Sequence, residues 1–330
     1  MNLVQTFIER AAEHPIRVVY PEGKDARILA AAAEVQRLGV AHPIVLGERP
    51  ELEEIAAAER LSLAGLKIVS PTAPELVERY AAAYSAARGV DLGVARKLVR
   101  KPLSFGGMMV RLGDADAMVA GIASATATVI QAASLTIGFA PGLNTPSSFF
   151  IMVVPRFLGE QDRVFIFADC AVNIAPTPRQ LAEIGIAAGR NARDLLGLEP
   201  RIAFLSFSTK GSAQHSDVDK VVEAVKIARE IDPSLAIDGE LQVDAAVNPR
   251  VAAKKMKEVG PVAGRANVLI FPDLDAGNMG YKLVQHLGGA TALGPFLQGF
   301  AKPVTDLSRG ASVSDVVGAT AILCVQAQAR

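Results

Sequence analysis

Four short polar clusters carry most of the chemistry this sequence can do. The first, residues 206–212 (SFSTKGS), directly follows an apolar run. The hydroxyls of Ser208 and Thr209, a glycine and the Lys210 ammonium can cradle an anion at the carboxyl end of a parallel strand, or form an ordinary Ser/Gly loop. The second, 238–244 (DGELQVD), brings together Asp238, Glu240 and Asp244. That spacing allows a cation site or an acid–base pair, and equally a set of solvated charges at a strand end. The third, 271–282 (FPDLDAGNMGYK), reads as a donor-rich strand-to-helix turn holding Asn278 and Lys282. The fourth, 302–310 (KPVTDLSRG), is followed by Ser314 and Asp315. It can present the Ser308 hydroxyl, the Arg309 guanidinium and free backbone N–H groups to one oxyanion. Asp315 stands at the start of the last helix, where an N-cap is the simplest role.

Other arrangements are absent. The sequence contains no GxGxxG or GxxxxGK[ST] nucleotide loop, no HExxH, no CxxC and no GxSxG. His14, His42, His215 and His286 are scattered, which gives little support to a histidine metal site or triad. Cys170 and Cys324 read as small core residues; a disulfide scaffold is not expected, and a reducing cytoplasm is. Lys and Arg total 34 and Asp and Glu total 34, so the basic excess of a nucleic-acid binder is missing. Residues 117–155 are uncharged and long enough to mimic a membrane span. Ser124, Thr126, Thr128 and Gln131, then Pro141, Asn144 and Pro146, favour a buried strand, a helix and a loop instead, so no membrane role is expected. Glu9, Arg10, Glu13, His14 and Arg17 interrupt the apolar core that an export signal needs.

The elements that must position these clusters alternate. Helical patterns cover 2–13, 25–38, 75–88, 91–99 and 105–113, and short apolar strands cover 17–20, 43–46, 66–69 and 117–120. The pattern restarts after Pro146 with two dense apolar runs at 149–154 and 164–168, spaced as a hairpin or adjacent strands. A long helix follows at 177–196, then strands at 201–206, 236–238 and 268–271, with helices at 218–231, 281–287 and 312–329. This rhythm predicts an α/β fold with parallel-type sheets flanked by helices, and 330 residues allow two domains.

Taken in chain order, the clusters and their flanks resemble the phosphate acetyl/butyryl transferase family. The matching stretches are 19–23 (VYPEG), 107–121, 167–184, 199–212, 237–246, 262–285 and 294–317, the last containing DLSRG. They span nearly the whole chain. The resemblance implies two α/β domains with the active site in the cleft between them. Domain I would be 1–145 plus 299–330, and domain II, 146–298, would also form a homodimer interface. It implies phosphate acetyltransferase activity, the reversible transfer of an acetyl group between coenzyme A and inorganic phosphate. Coenzyme A and acetyl-CoA would be substrates, with no bound cofactor and no metal. By the same resemblance Asp315 is the base for the thiol, Ser308 donates to the developing oxyanion, and Arg309 binds phosphate or the carbonyl oxygen. Substrate-binding positions would be Arg88, Thr126 and Gln131 in domain I, with Ser208, Thr209, Lys210, Asn278, Lys282 and Gln298 in domain II.

Two arginines usual in the family are missing: their places fall near Gln131 and Ser85, and Ser124 replaces a usual histidine. Arg88, Arg111 and Lys210 are the candidate replacements. Acyl groups longer than acetyl, or a non-catalytic acyl-CoA-sensing domain, are the alternative readings.

Overall fold

The computed structural model describes residues 3–329, so Asn2, expected to open the first helix, lies outside the described residues. In chain order the elements are α1 (Leu3–Glu13), β1 (Ile16–Tyr20), α2 (Ala26–Arg37), β2 (Ala41–Leu46), α3 (Arg49–Ala58), β3 (Lys67–Val69), α4 (Pro74–Arg88), α5 (Leu92–Val99), α6 (Pro102–Arg111), β4 (Ala117–Ala120) and α7 (Thr126–Thr136). They continue with β5 (Ser147–Phe157), β6 (Glu160–Ala168), α8 (Pro178–Leu196), β7 (Arg201–Leu205), α9 (Ser216–Ile231), β8 (Ala236–Leu241), α10 (Val243–Val247), α11 (Pro249–Lys255), β9 (Val268–Ile270), α12 (Leu274–His286), β10 (Thr291–Gln298), β11 (Val304–Asp306) and α13 (Val313–Gln328). The chain divides into two compact units: one runs to Ala140 and resumes at Phe300, and the other is Pro141–Gly299.

The first unit holds a five-stranded sheet, β11-β4-β1-β2-β3, parallel throughout. β4 is wholly buried, as a strand covered on both faces should be. The chain moves outward from β1 through β2 and β3, then returns to the other side of β1 as β4 and β11. Connections leave β1 and β4 in opposite directions, which makes the carboxyl ends of these two strands the place where a ligand crevice forms. Helix α13 packs on α1 and α2, while α4, α5 and α7 pack on α6. Local chemistry sets the helix starts. Asp25 caps α2 by accepting from the Arg27 N–H, and Ser312 caps α13 in a capping box with Asp315. Asp315 is therefore the third helical residue and not the N-cap. Residues 304–306, part of the fourth polar cluster, form β11 by pairing with β4.

The second unit has a six-stranded sheet, β10-β5-β6-β9-β7-β8. Only β6, β9, β7 and β8 are mutually parallel; β5 runs antiparallel to both β6 and β10. The β5–β6 hairpin turns at Leu158-Gly159, both at positive φ. Helix α8 begins with a Thr177/Gln180 capping box and ends at left-handed Gly197. Helix α12 starts at Leu274, well before Tyr281. Asp273 caps it by accepting from the Ala276 N–H, and Gly277 is required because a Cβ there would meet the Asp169 carbonyl. The Asp, Gly and Asn that imitate a turn in sequence are thus a cap and a close packing contact. Phe150, Phe165, Phe167, Leu205, Leu241 and Leu269 lie in one buried cluster of this unit.

Candidate active site

The carboxyl ends of the first unit's strands collect its polar residues. The Pro21-Glu22 turn follows β1, Gly47-Glu48 follows β2, Pro71-Thr72 follows β3, and Ala123 and Ser124 follow β4. These line a cavity of about 860 Å³, together with Lys24, Asp25, Lys101, Ser104, Thr128 and Gln131. Leu46, Leu98, Leu103, Ala132 and Leu135 make much of its wall apolar, as in most small-molecule sites. Glu48 accepts from the Ser70 and Thr72 hydroxyls, which hold its carboxyl below the usual range. Lys24 pairs with Glu51 at 2.8 Å. The ammonium of Lys101, the residue that caps α6, has no hydrogen bond or ion pair among the described residues.

Three backbone N–H groups at the end of β4 converge on one carboxylate. Glu22 Oε2 accepts from Gly121 (2.8 Å) and Ile122 (2.9 Å), and Oε1 accepts from Ala123 (3.2 Å). This is an anion nest filled by the protein's own side chain. Beside it, Asp306 ends β11. Its Oδ2 accepts from the Thr126 hydroxyl at 2.5 Å, and its Oδ1 is buried with no partner among the described residues. Asp306 is 6% exposed. Burial, reinforced by the negative charge of Glu22 and opposed by the Thr126 hydrogen bond, pushes its carboxyl up to about 6.

The Ser308–Arg309 loop leaves β11 immediately after Asp306. Both residues are exposed, and Ser308 Oγ accepts from the Gly310 N–H at 3.2 Å. Arg27 braces this loop: it donates to Asp25 through Nε and Nη2, and through Nη1 to the carbonyls of Arg309 (2.9 Å) and Ala311 (3.0 Å). Asp25 in turn lines the cavity and is held below the usual carboxylate range by Arg27. Asp315 is exposed. Its Oδ2 accepts from the Ser312 N–H and hydroxyl, and its Oδ1 has no hydrogen bond among the described residues. The Arg309 guanidinium likewise has no partner among them.

The other expected positions divide sharply. Gln131, Ser124 and Thr128 line the cavity. The Thr126 hydroxyl is used by Asp306. Arg88 does not line the cavity: its guanidinium donates to the carbonyls of Ser134 and Leu135, capping α7. Arg111 does the same at Thr136, so neither replaces the missing arginines through a free guanidinium. Ser85 donates to the Val90 carbonyl.

In the second unit the anion cradle exists but is occupied. Ser208 Oγ and the Gly211 N–H donate to Glu240, Thr209 Oγ1 accepts from the Gln242 N–H, and Lys210 donates to Asp238 at 2.5 Å. Ser208 is fully buried and Thr209 nearly so. The expected substrate contacts are spent stitching this loop to β8. Gln298 is 1% exposed, with its amide committed to Ser147, Ile184 and Asn191, so it is a core residue instead of a substrate contact. Asn278 donates to the Cys170 carbonyl, and Lys282 is exposed beside Tyr281. Asp244 pairs with Lys255, and no group of three or more candidate metal ligands occurs among the described residues. Glu22, Arg27, Lys101 and Asp306 were not singled out from sequence. Glu22 and Asp306 had a local signal, their places in VYPEG and DLSRG; Arg27 and Lys101 had none.

The chain is similar to known proteins over nearly its whole length. Residues 2–324 match the family described as Phosphate acetyl/butaryl transferase. A phosphate acetyltransferase of Thermoanaerobacterium thermosaccharolyticum is 47% identical over 332 aligned residues, covering 99% of this chain and 100% of the relative. Two solved structures superpose at a TM-score of 0.89. The EutD phosphotransacetylase from Staphylococcus aureus is 37% identical and covers 99% of this chain and 98% of its own. A phosphotransacetylase from Streptococcus pyogenes is 38% identical, covering 98% of each.

Proposed function

Because this chain belongs to the phosphate acetyl/butaryl transferase family, we propose that it transfers an acetyl group reversibly between coenzyme A and inorganic phosphate. The observation that carries the reading is the match across residues 2–324, with Ser308, Arg309 and Asp315 present in an exposed loop and helix start.

In the direction of thioester synthesis, the coenzyme A thiol loses its proton to Asp315 Oδ1. The thiolate attacks the carbonyl carbon of acetyl phosphate, because thiolate and not thiol is the nucleophile. Ser308 Oγ–H donates to the carbonyl oxygen as it gains negative charge. The tetrahedral species collapses, the carbon–oxygen bond to phosphate breaks, and phosphate leaves with that electron pair. Arg309 holds the phosphate through charge-assisted hydrogen bonds. The Ser312 N–H and hydroxyl fix the Asp315 carboxylate through Oδ2 and leave Oδ1 for the proton. Lys101 supplies part of the positive charge that the two missing arginines would carry, since it lines the cavity without a carboxylate partner among the described residues.

A homodimer is part of the reading. Met279, Leu283 and Leu287 lie four residues apart along α12 and its C-cap and are 58%, 57% and 82% exposed. An apolar stripe of this kind fits a covered surface. We place the protein in the cytoplasm, where the free thiols Cys170 and Cys324 stay reduced. No helix among the described residues is long and apolar enough to cross a membrane.

The test is acetyl-CoA formation from acetyl phosphate and coenzyme A, with Ser308→Ala and Asp315→Asn in parallel. Turnover in the parent that falls about 100-fold or more in both variants supports the reading. Tight acyl-CoA binding without turnover of acetyl, propionyl or butyryl phosphate replaces it with an acyl-CoA sensor.

A further inference from the structure

We infer that Asp306 is a positioning residue of the transfer reaction: its carboxyl ties Thr126, in the first turn of α7, to the strand end that presents Ser308 and Arg309. The inference rests on the acetyl-transfer reading above. Three observations carry it. Asp306 is 6% exposed, yet Oδ1 has no partner among the described residues, and a native protein rarely leaves a buried carboxyl oxygen bare without a use for it. The one hydrogen bond of its carboxyl among the described residues, from Thr126, spans 180 residues and joins the two chain segments that flank β4 and β11. And Gly121, whose N–H is held by Glu22, sits so close to Oδ1 that a Cβ there would collide with it.

The charged neighbours are few. β4 and α7, which pack on β11, contain no titratable carboxylate or cation. Helix α13 contributes the exposed Asp315 in its first turn and the buried thiol of Cys324. The β1–α2 turn contributes Glu22, with the Asp25–Arg27 pair beyond it. Glu22 is thus the one anion that raises the Asp306 carboxyl by its charge, adding to the effect of burial. An ionised Asp306 grips the Thr126 hydroxyl through a charge-assisted hydrogen bond, which is about twice as strong as a neutral one. Protonation weakens the grip and lets the Ser308–Arg309 strand end shift.

The experiment measures kcat and KM from pH 5 to 9 for the parent, Asp306→Asn, Thr126→Val and Thr126→Ser. The parent should lose kcat below about pH 6, the value burial gives Asp306. Asp306→Asn should lack that acid limb and run about tenfold slower at pH 8, with KM for both substrates little changed. Thr126→Val should slow by a similar factor, and Thr126→Ser, which keeps the hydroxyl, by less. A second readout does not depend on turnover. Asp306 is raised in the folded state, so its contribution to stability is present at low pH and is lost as pH rises through about 6. The Tm of Asp306→Asn relative to the parent should therefore climb by a few degrees between pH 4 and 7.

Parent kcat and acid limb retained in Asp306→Asn, or a Tm difference that stays flat with pH, overturn the inference alone. Should Asp306→Asn fail to fold, unchanged kcat in Thr126→Val, a change at an exposed residue, overturns it. A parent that makes no acetyl-CoA overturns the functional reading and this one with it.

Discussion

Gly121→Ala tests whether the close approach of β4, β11 and Glu22 organises the site. Gly121 has φ +109°, a conformation L-residues rarely adopt. Holding alanine there costs about 1–3 kcal/mol. A Cβ built on Gly121 lies 2.5 Å from the Leu307 amide nitrogen and 2.7 Å from the Leu307 carbonyl oxygen, besides colliding with Asp306 Oδ1. Two of these obstacles are backbone, so relief requires moving the β11 end itself, adding about 1–3 kcal/mol. The sum is about 2–6 kcal/mol, a large share of a domain's ordinary stability. Gly89→Ala is the control: its φ is +66° but nothing lies within 4 Å of the new Cβ, so only the conformational cost, about 1 kcal/mol, remains. Urea unfolding followed by tyrosine fluorescence reports chiefly on the first unit, because Tyr20, Tyr80 and Tyr84 belong to it and the protein has no Trp. Gly121→Ala should unfold at markedly lower urea than Gly89→Ala and lose about 100-fold in kcat, since displacing Ser308 by about 1 Å suffices for that. Equal stability of the two variants, within about 0.5 kcal/mol, together with intact turnover in Gly121→Ala, would refute the reasoning.

Further predictions follow from the same geometry. Lys101→Ala should raise the KM for acetyl phosphate about tenfold and leave kcat nearly unchanged; a KM equal to the parent's removes Lys101 from phosphate binding. Burial pushes the Cys324 thiol up to about 12 and raises that of Cys170 as well. Neither should react with a thiol reagent in the folded protein at pH 8, and both should react once it is unfolded. Leu283→Lys, in the exposed stripe of α12, should convert a dimer to monomer by light scattering. A parent that already runs as a monomer overturns the dimer.

Much of the fold is legible in local pattern. Continuous apolar runs bounded by Gly and Pro mark β1, β4 and β7, and the Asp25, Thr177 and Ser312 caps begin helices where short-range hydrogen bonding demands them. Such signals are written within a few residues, so a sequence read by spacing can find them. The DLSRG loop and its aspartate are legible for the same reason, as a resemblance carried by contiguous residues.

The site's supporting contacts are of another kind. Glu22 reaches Gly121 across 99 positions, Thr126 reaches Asp306 across 180, and Arg27 reaches the Arg309 carbonyl across 282. No local period encodes these pairings; they exist because β1, β4 and β11 are sheet neighbours and end at one edge. Tertiary structure also decides which polar residues are free. The Ser208–Lys210 cluster has the composition of an anion site, but β8 supplies Glu240 and Asp238 to fill it. Arg88 has the charge to hold phosphate, but the end of α7 takes its guanidinium. By itself the sequence determined the α/β class, most element positions and the family-bearing loop, because those rest on local propensity and contiguous motif. Which carboxylates, hydroxyls and guanidiniums remain available for chemistry was settled only by folding, because a hydrogen-bonding group is used up by whichever partner the packing brings within about 3 Å.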